Sequence, residues 1–122
     1  MDAPFFWEPL GPDRVAKIRW RAGAIVTGEL ARTTLVELAA LIPRGTQVPV
    51  LADIRPLKSM TREARACYGQ AVDAVSAVAL LADSPATRML ANFFLGINRP
   101  TVPTQMFTDE AKALAWLRRY VT

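Results

Sequence analysis

The sequence predicts an α/β domain with a mixed, partly parallel sheet of about five strands and about four helices packed on it. Two short strand patterns come first, and helix and strand patterns then alternate, an order typical of parallel strands joined by right-handed crossovers. Hydrophobic residues make up 52 % of the 122 residues and charged residues 21 %, which supplies enough apolar side chains for one core. We therefore expect a single domain over residues 1–122.

The first elements form a predicted hairpin. Residues 4–9 and 14–20 have strand-like apolar content, and a Gly-Pro-Asp segment between them supplies the turn chemistry. Lys17, Arg19 and Arg21 alternate along the second strand, so we expect them on the solvated face of an edge hairpin.

A helix and a central strand follow the hairpin. Thr27 offers an N-cap oxygen, and Pro43 lies where the helical pattern stops. Val48 to Ile54 is a nearly continuous apolar run, typical of a strand covered on both faces, and we assign it to the centre of the sheet. The predicted inner side of the helix comprises Leu30, Leu35, Leu38, Ala39 and Ile42.

The second half of the chain continues the alternation. Thr61 is predicted to cap a second helix, and residues 77–82 form the next buried strand. Asp83-Ser84-Pro85 places a capping side chain before a proline at the start of a third helix. Residues 104–107 form the last strand of the predicted sheet.

Apolar spacing defines the last two helices. The third has a broad apolar face made of Met89, Leu90, Phe93 and Phe94. The fourth starts at the segment Thr108-Asp-Glu, and Arg118 and Arg119 suit the negative end of its dipole. Its predicted inward residues are Ala111, Leu114, Ala115, Leu117 and Val121.

The chain contains no histidine, which removes the usual general base, the Ser-His and Cys-His nucleophile pairs and the commonest transition-metal ligand. Its one cysteine, Cys67, cannot form an internal disulfide, and in a helix we expect it to be a packing residue. A zinc site would need mostly carboxylate ligands, which structural zinc rarely uses. We predict no metal, no cofactor and no enzymatic activity.

The charge distribution argues against nucleic-acid binding. Twelve Arg and three Lys outweigh eleven acids to give a net charge of +4, but the acids are interspersed along the chain. Neither a helix-turn-helix pattern nor an aromatic RNA-binding signature accompanies the basic residues. Apolar stretches are shorter than the ~18 to 20 residues of a membrane span, and the start lacks the layout of a secretory signal, so we expect a cytoplasmic protein.

The segment after the central strand is the best candidate site. Open α/β sheets place ligand sites beyond the carboxyl ends of their strands, and here the strand leads into a basic loop and a helix start. Cations at a helix start cost a few tenths to about 1 kcal/mol each, which a bound anion would offset. The candidate contacts for a partner or an anion are Asp53, Arg55, Lys58, Ser59, Thr61, Arg62 and Arg65.

Structural explanations of the same residues stay open. Glu63 can neutralise the arginines beside it on a solvated helix surface. Thr61 can be an N-cap, although phosphorylation of Ser59 or Thr61 would place a phosphate among basic residues. Asp53 and Asp83 can end adjacent strands and divide acid and base roles, but no nucleophile or metal accompanies them, so we favour structural roles in caps and turns.

Two segments carry a family resemblance. The strand ending Leu51-Ala-Asp53 before a loop with serine and threonine, and the strand and helix from Pro103 to Leu117, resemble the SpoIIAA-like, or STAS-like, proteins of bacteria. The resemblance implies a mixed sheet, a role in protein interaction such as antagonism of an anti-sigma factor, and in some members phosphorylation of a loop hydroxyl. Related folds also bind hydrophobic ligands. Asp53 matches the acid that ends the family's central strand, and in the family the regulated hydroxyl directly follows that acid. Here Ile54-Arg55-Pro56 follows Asp53 instead. Ser59 and Thr61 therefore lie in the corresponding loop without matching the motif position.

The leading hypothesis is a homodimeric, non-enzymatic interaction domain that contacts a regulatory protein through the loop and helix start after Asp53. It involves no nucleic acid and no integral membrane segment. The alternative is a carrier or sensor of a small hydrophobic or anionic ligand, with an apolar pocket near Phe93, Phe94 and Trp116. A third hypothesis is an enzyme that relies on Asp53, Tyr68 or Lys58.

Overall fold

A mixed five-stranded sheet forms the centre of the computed structural model, which describes residues 3–70, 73–98 and 102–121. The strands are β1 (Phe5–Trp7), β2 (Ala16–Trp20), β3 (Ile25–Val26), β4 (Val48–Asp53), β5 (Ser59–Met60), β6 (Val75–Leu81) and β7 (Thr104–Phe107). The helices are α1 (Gly28–Leu41), α2 (Arg62–Gly69), α3 (Pro85–Phe93) and α4 (Glu110–Leu117). A π-helical turn, Phe94–Asn98, extends α3, and a 3-10 turn, Arg118–Tyr120, extends α4.

The sheet has the predicted mixed topology. Its strand order is β1-β2-β4-β6-β7, with β1 antiparallel to β2 and every other neighbouring pair parallel. β4 is the central strand, as its apolar run indicates, and the register shifts between Val48 and Pro49. The sequence did not predict the small second sheet, in which β3 pairs in parallel with β5.

Side-chain caps begin each helix. The Thr27 hydroxyl accepts a hydrogen bond from the Leu30 amide, and the Thr61 hydroxyl accepts one from the Ala64 amide, both at 3.2 Å. Ser84 caps α3 directly before Pro85, as predicted. Asp109 caps α4, which begins at Glu110, within the segment Thr108-Asp-Glu that the sequence predicts as its start.

The helices cover both faces of the sheet. α1, α2 and α3 pack on one face through Ala31, Ala64 and Ala91, which lie in one core cluster with Ile18 and Leu80. α4 packs on the other face through Ala113 and Leu117. The prediction that Ala111 and Ala115 point inward is wrong, because both are exposed and the buried stripe of α4 is rotated towards Ala113.

The apolar face of α3 is divided between the core and the surface. Phe94 is buried and Leu90 is partly buried, whereas Met89 is 61 % exposed and Phe93 is 46 % exposed. The third predicted helix therefore exists, but only one side of its apolar face meets the sheet. None of the helices in the described ranges is long and apolar enough to cross a membrane.

Candidate functional site

Charged side chains from the hairpin, β4 and α4 meet near the carboxyl ends of β2 and β4. Arg19 lies at the centre, where its Nε donates to Glu8 Oε2 at 2.6 Å and its Nη1 donates to Asp53 Oδ2 at 2.9 Å. Its two terminal nitrogens also bind both carboxylate oxygens of Glu110, at 2.9 and 3.0 Å. We call this group, together with Arg55, the Arg19 cluster.

Asp53 is enclosed by two guanidinium groups. The Nε and Nη2 atoms of Arg55 lie 2.9 and 2.8 Å from the two Asp53 oxygens, and the Arg55 amide also donates to Oδ1. Burial raises the pKa of Asp53, but the hydrogen bonds from Arg55 and Arg19 outweigh that effect and hold the pKa below its usual value. Asp53 therefore stays ionised at neutral pH, so it has no proton to donate as a general acid, and its lowered pKa makes it a weak general base.

The Arg19 cluster is a structural element and not a free anion site. Three carboxylates and two guanidiniums give it a formal charge of −1, and the Arg55 guanidinium already binds Asp53. The expectation that Arg19 lies on a solvated hairpin face is wrong, because β2 lies between β1 and β4 and its charged face meets α4. Asp83, the other strand-end carboxylate, is exposed.

Arg65, the last basic residue of the candidate segment, adjoins the outer side of α3. The guanidinium of Arg65 lies 5.9 Å from the centroid of the Phe93 ring and donates to the Met60 carbonyl at 3.0 Å. A shallow groove beside Phe93 is lined in part by Arg88 and Met89. We define the α2–α3 surface as Arg65, Arg88, Met89 and Phe93, together with the exposed residues Lys58, Ser59 and Arg62, which shortly precede Arg65 in the chain.

The two predicted hydroxyls have different environments. Thr61 is partly buried, and its oxygen is the N-cap of α2. Ser59 is exposed on the short strand β5. Of the two, Ser59 is the side chain that an enzyme in solution can reach in the folded protein.

An apolar cavity of about 110 Å³ lies between the sheet and helices α1 to α3. Tyr68 and Phe94 line it, and the Tyr68 hydroxyl lies 2.6 Å from the hydroxyl of Thr34. The predicted pocket residues are not brought together, because Phe93 is exposed outside the cavity and Trp116 packs against Phe107 on the opposite face of the sheet.

The residues of the enzyme hypothesis are also separated. Asp53 faces α4, whereas Tyr68 bonds to Thr34 on the other face of the sheet. Lys58 is exposed on the loop before β5. In the described part of the chain, no group of three or more cysteine, aspartate and glutamate side chains is placed to hold a metal ion.

Sequence reasoning missed three features of these sites. The partners of Arg19 lie 11, 34 and 91 positions away in the chain, so local spacing gives no sign of them. The outward direction of Met89 and Phe93 and the pairing of Thr34 with Tyr68 likewise depend on how helices pack. The charges that alternate along β2 are a sequence sign of this network, but the same alternation fits the solvated face that we predicted.

Comparison with known proteins identifies the family and the fold. The model of DUF7793, a domain of unknown function, matches residues 11–121. No curated protein matches the chain. An uncharacterized DUF3478-family protein with a SpoIIAA-like fold, from Shewanella loihica PV-4, is similar with a TM-score of 0.55 and 23 % identity, covering 93 % of this chain and 91 % of that chain.

Two further solved structures are similar. The anti-sigma factor antagonist SpoIIAA, in its unphosphorylated form, has a TM-score of 0.50 and 19 % identity, covering 93 % of this chain and 97 % of that chain. A protein of unknown function from Arthrobacter sp. FB24 is 38 % identical with a TM-score of 0.37, and the match covers 92 % of this chain and 97 % of that chain. The chain therefore has the SpoIIAA-like fold that its sequence resembles.

Proposed function

The chain belongs to the DUF7793 family, and from its SpoIIAA-like fold we propose that it is a non-enzymatic interaction domain that binds a regulatory protein through the α2–α3 surface. The observation that carries the proposal is the exposure of Phe93 beneath the guanidinium of Arg65. An exposed aromatic side chain beside an arginine is typical of the residues that contribute most to protein interfaces.

The chemistry of the surface defines the partner. Met89 and Phe93 are one helical turn apart and expose large apolar groups, while Arg65 and Arg88 supply positive charge beside them. Charge complementarity favours a partner with an apolar pocket rimmed by aspartate and glutamate. The net charge of +4 on the whole chain would also accelerate association with an acidic protein.

The similar SpoIIAA structure supports a protein as the class of partner. SpoIIAA is named an anti-sigma factor antagonist, and the similar structure is that of its unphosphorylated form. By analogy we propose Ser59 as the hydroxyl whose phosphorylation would regulate binding, since it is exposed and adjoins Lys58. Thr61 is the second candidate, and its modification would disrupt the cap of α2.

Self-association is proposed for a different surface. A second copy would present the same basic residues, so like charges would oppose each other across the α2–α3 surface. Phe6 is 58 % exposed on the edge strand β1 and is the better candidate for a homodimer contact. Light scattering on the wild-type chain and on Phe6→Ser measures the molar mass and so tests for the dimer. We propose a cytoplasmic location for the protein.

Photo-crosslinking tests the partner surface in the cell. p-Benzoylphenylalanine is introduced at Phe93, and at Val36 as a control, since Val36 is 71 % exposed on α1. We expect a discrete protein adduct from position 93 and none from position 36. Equal adducts from both positions would contradict the proposal.

Binding of the purified adduct partner then tests the chemistry. We expect Phe93→Ser to weaken binding about tenfold or more, and Arg65→Glu to weaken it severalfold with a reduced salt dependence. Val36→Ser and Arg119→Glu are the matched controls and should change the affinity by less than about twofold. Unchanged affinity in both surface variants, with melting temperatures near wild type, argues for another interface.

A further inference from the structure

The cavity between the sheet and helices α1 to α3 is large enough for a small molecule. Its volume of about 110 Å³ compares with roughly 150 Å³ for an engineered apolar cavity that stays dry and binds benzene. The lining is almost entirely apolar, and residues from the sheet and from α3 contribute most of it. Members include Trp7, Ile18, Val50, Ala52, Leu80 and Phe94.

Thr34, Tyr68 and Gln70 are lining residues with polar side chains, and the Tyr68 oxygen has unused acceptor capacity. Thr34 is fully buried, and its hydroxyl donates to the Ala31 carbonyl at 2.7 Å. A hydroxyl has one proton, so the 2.6 Å contact between Thr34 and Tyr68 requires the Tyr68 hydroxyl to be the donor. The lone pairs of the Tyr68 oxygen then remain as acceptors, and within the described residues no donor to them is seen.

The indole of Trp7, which also lines the cavity, already has a partner. The indole Nε1 of Trp7 donates to the Thr34 carbonyl at 3.1 Å. Burial raises the pKa of Tyr68, so the phenol keeps its proton at neutral pH. No Lys or Arg side chain lines the cavity in the described ranges, which disfavours an anionic ligand because its charge would be buried without a partner.

We propose that this cavity binds one small, mainly apolar molecule of monocyclic size, with a single O–H or N–H group that donates to the Tyr68 oxygen. The site does not depend on the α2–α3 surface, because it lies on the inner side of α3. It makes the chain a sensor or carrier of a neutral hydrophobic compound, in addition to its proposed interaction role.

The wild-type chain tests the acceptor without any substitution. Three probes are titrated into the ¹⁵N-labelled protein and followed by two-dimensional NMR: 4-methylphenol, toluene and 4-methylbenzoate. We expect saturable binding of 4-methylphenol with a Kd on the order of 0.1 mM. Toluene should bind about three- to tenfold more weakly, because it cannot donate a hydrogen bond to Tyr68. The third probe, 4-methylbenzoate, should not bind at the cavity because it is charged.

Variants then locate the binding site. Tyr68→Phe should reduce the affinity for 4-methylphenol to that for toluene, while Tyr120→Phe, on the other face of the sheet, should leave it unchanged. Ala52→Leu fills the cavity and should abolish binding of both neutral probes. The proposal would be overturned if neither 4-methylphenol nor toluene bound saturably. It would also be overturned if Tyr68→Phe bound 4-methylphenol as tightly as the wild-type chain does. So would binding of 4-methylbenzoate at the cavity as tight as that of 4-methylphenol.

Discussion

Arg19 binds both carboxylate oxygens of Glu110, which lies 91 positions later in the chain, at distances of 2.9 and 3.0 Å. The pair joins β2 to the first turn of α4. Because the same guanidinium also contacts Glu8 and Asp53, one side chain connects the hairpin, the central strand and the last helix. The hydrogen bonds to Glu110 are the main reason why the pKa of Arg19 is raised.

Replacing Arg19 should destabilise the fold strongly. Arg19→Met removes the central cation and leaves the buried Asp53 with Arg55 as its remaining ion-pair partner. Breaking a buried ion pair by removing one partner costs about 3 to 5 kcal/mol, and we expect the lower end because Arg19 is itself only partly buried. Urea denaturation measures the loss, with the exposed Arg44→Met as the control. A loss below about 1 kcal/mol would show that the cluster contributes little.

Acid should weaken the folded state through the carboxylates of the cluster. The hydrogen bond from Arg19 lowers the pKa of Glu110, and the pKa of Asp53 is lowered as well. A lowered folded-state pKa adds stability above the unfolded value of about 4, and that stability is lost as the pH falls through the folded value.

The free energy of unfolding should therefore fall between about pH 5 and pH 2. Glu110→Gln should make this fall shallower, since it removes one of the titrating groups. Glu37→Gln, on an exposed part of α1, is the control. Urea titrations at half-unit pH steps measure the slope, and an identical slope in Glu110→Gln and wild type refutes the assignment.

Thr61 and Ser59 should respond differently to loss of the hydroxyl. Thr61→Ala removes the acceptor for the Ala64 amide and should cost about 1 kcal/mol. Ser59→Ala, at an exposed position, should stay within about 0.5 kcal/mol of wild type. Thermal melts of the two variants measure the difference. Equal losses would mean that Ser59 also has a structural role.

Gly28 is required by the close approach of α1 to α2. A Cβ atom at Gly28 would lie 2.9 Å from the Cβ of Glu63, closer than packed side chains allow. Gly28→Ala should therefore destabilise the protein by about 1 to 2 kcal/mol, although alanine is the better helix former. Gly96→Ala should be neutral or slightly stabilising, because among the described residues, its own helix backbone and chain neighbours apart, no atom lies within 4 Å of the new Cβ. Calorimetry measures the thermal stability of both variants against that of the wild-type chain.

Local signals account for the parts of the fold that the sequence predicted. The apolar run of β4 and the caps Thr27, Thr61 and Ser84 each depend on a few adjacent residues, and each prediction is confirmed. The strands β3 and β5 have two residues each, too few to show an alternating pattern.

The sites were predicted less completely, for a related reason. Helical spacing identified an apolar face on α3, but not which sector of that face meets the sheet, so the exposure of Phe93 needed the packed structure. The basic loop was found from its sequence. The binding of Arg55 to Asp53, which removes that arginine from an anion site, depends on side-chain geometry that residue order does not specify.

Helix α3 has nine residues, and its two sides belong to two different sites. Leu90 and Ala91 line the cavity, while Met89 and Phe93 lie outside on the α2–α3 surface. A guest molecule and a protein partner would therefore share one short helix, which continues directly into a π-helical turn. Thermodynamic linkage then makes any allosteric coupling reciprocal: a guest that alters partner affinity by some factor has its own affinity altered by that same factor.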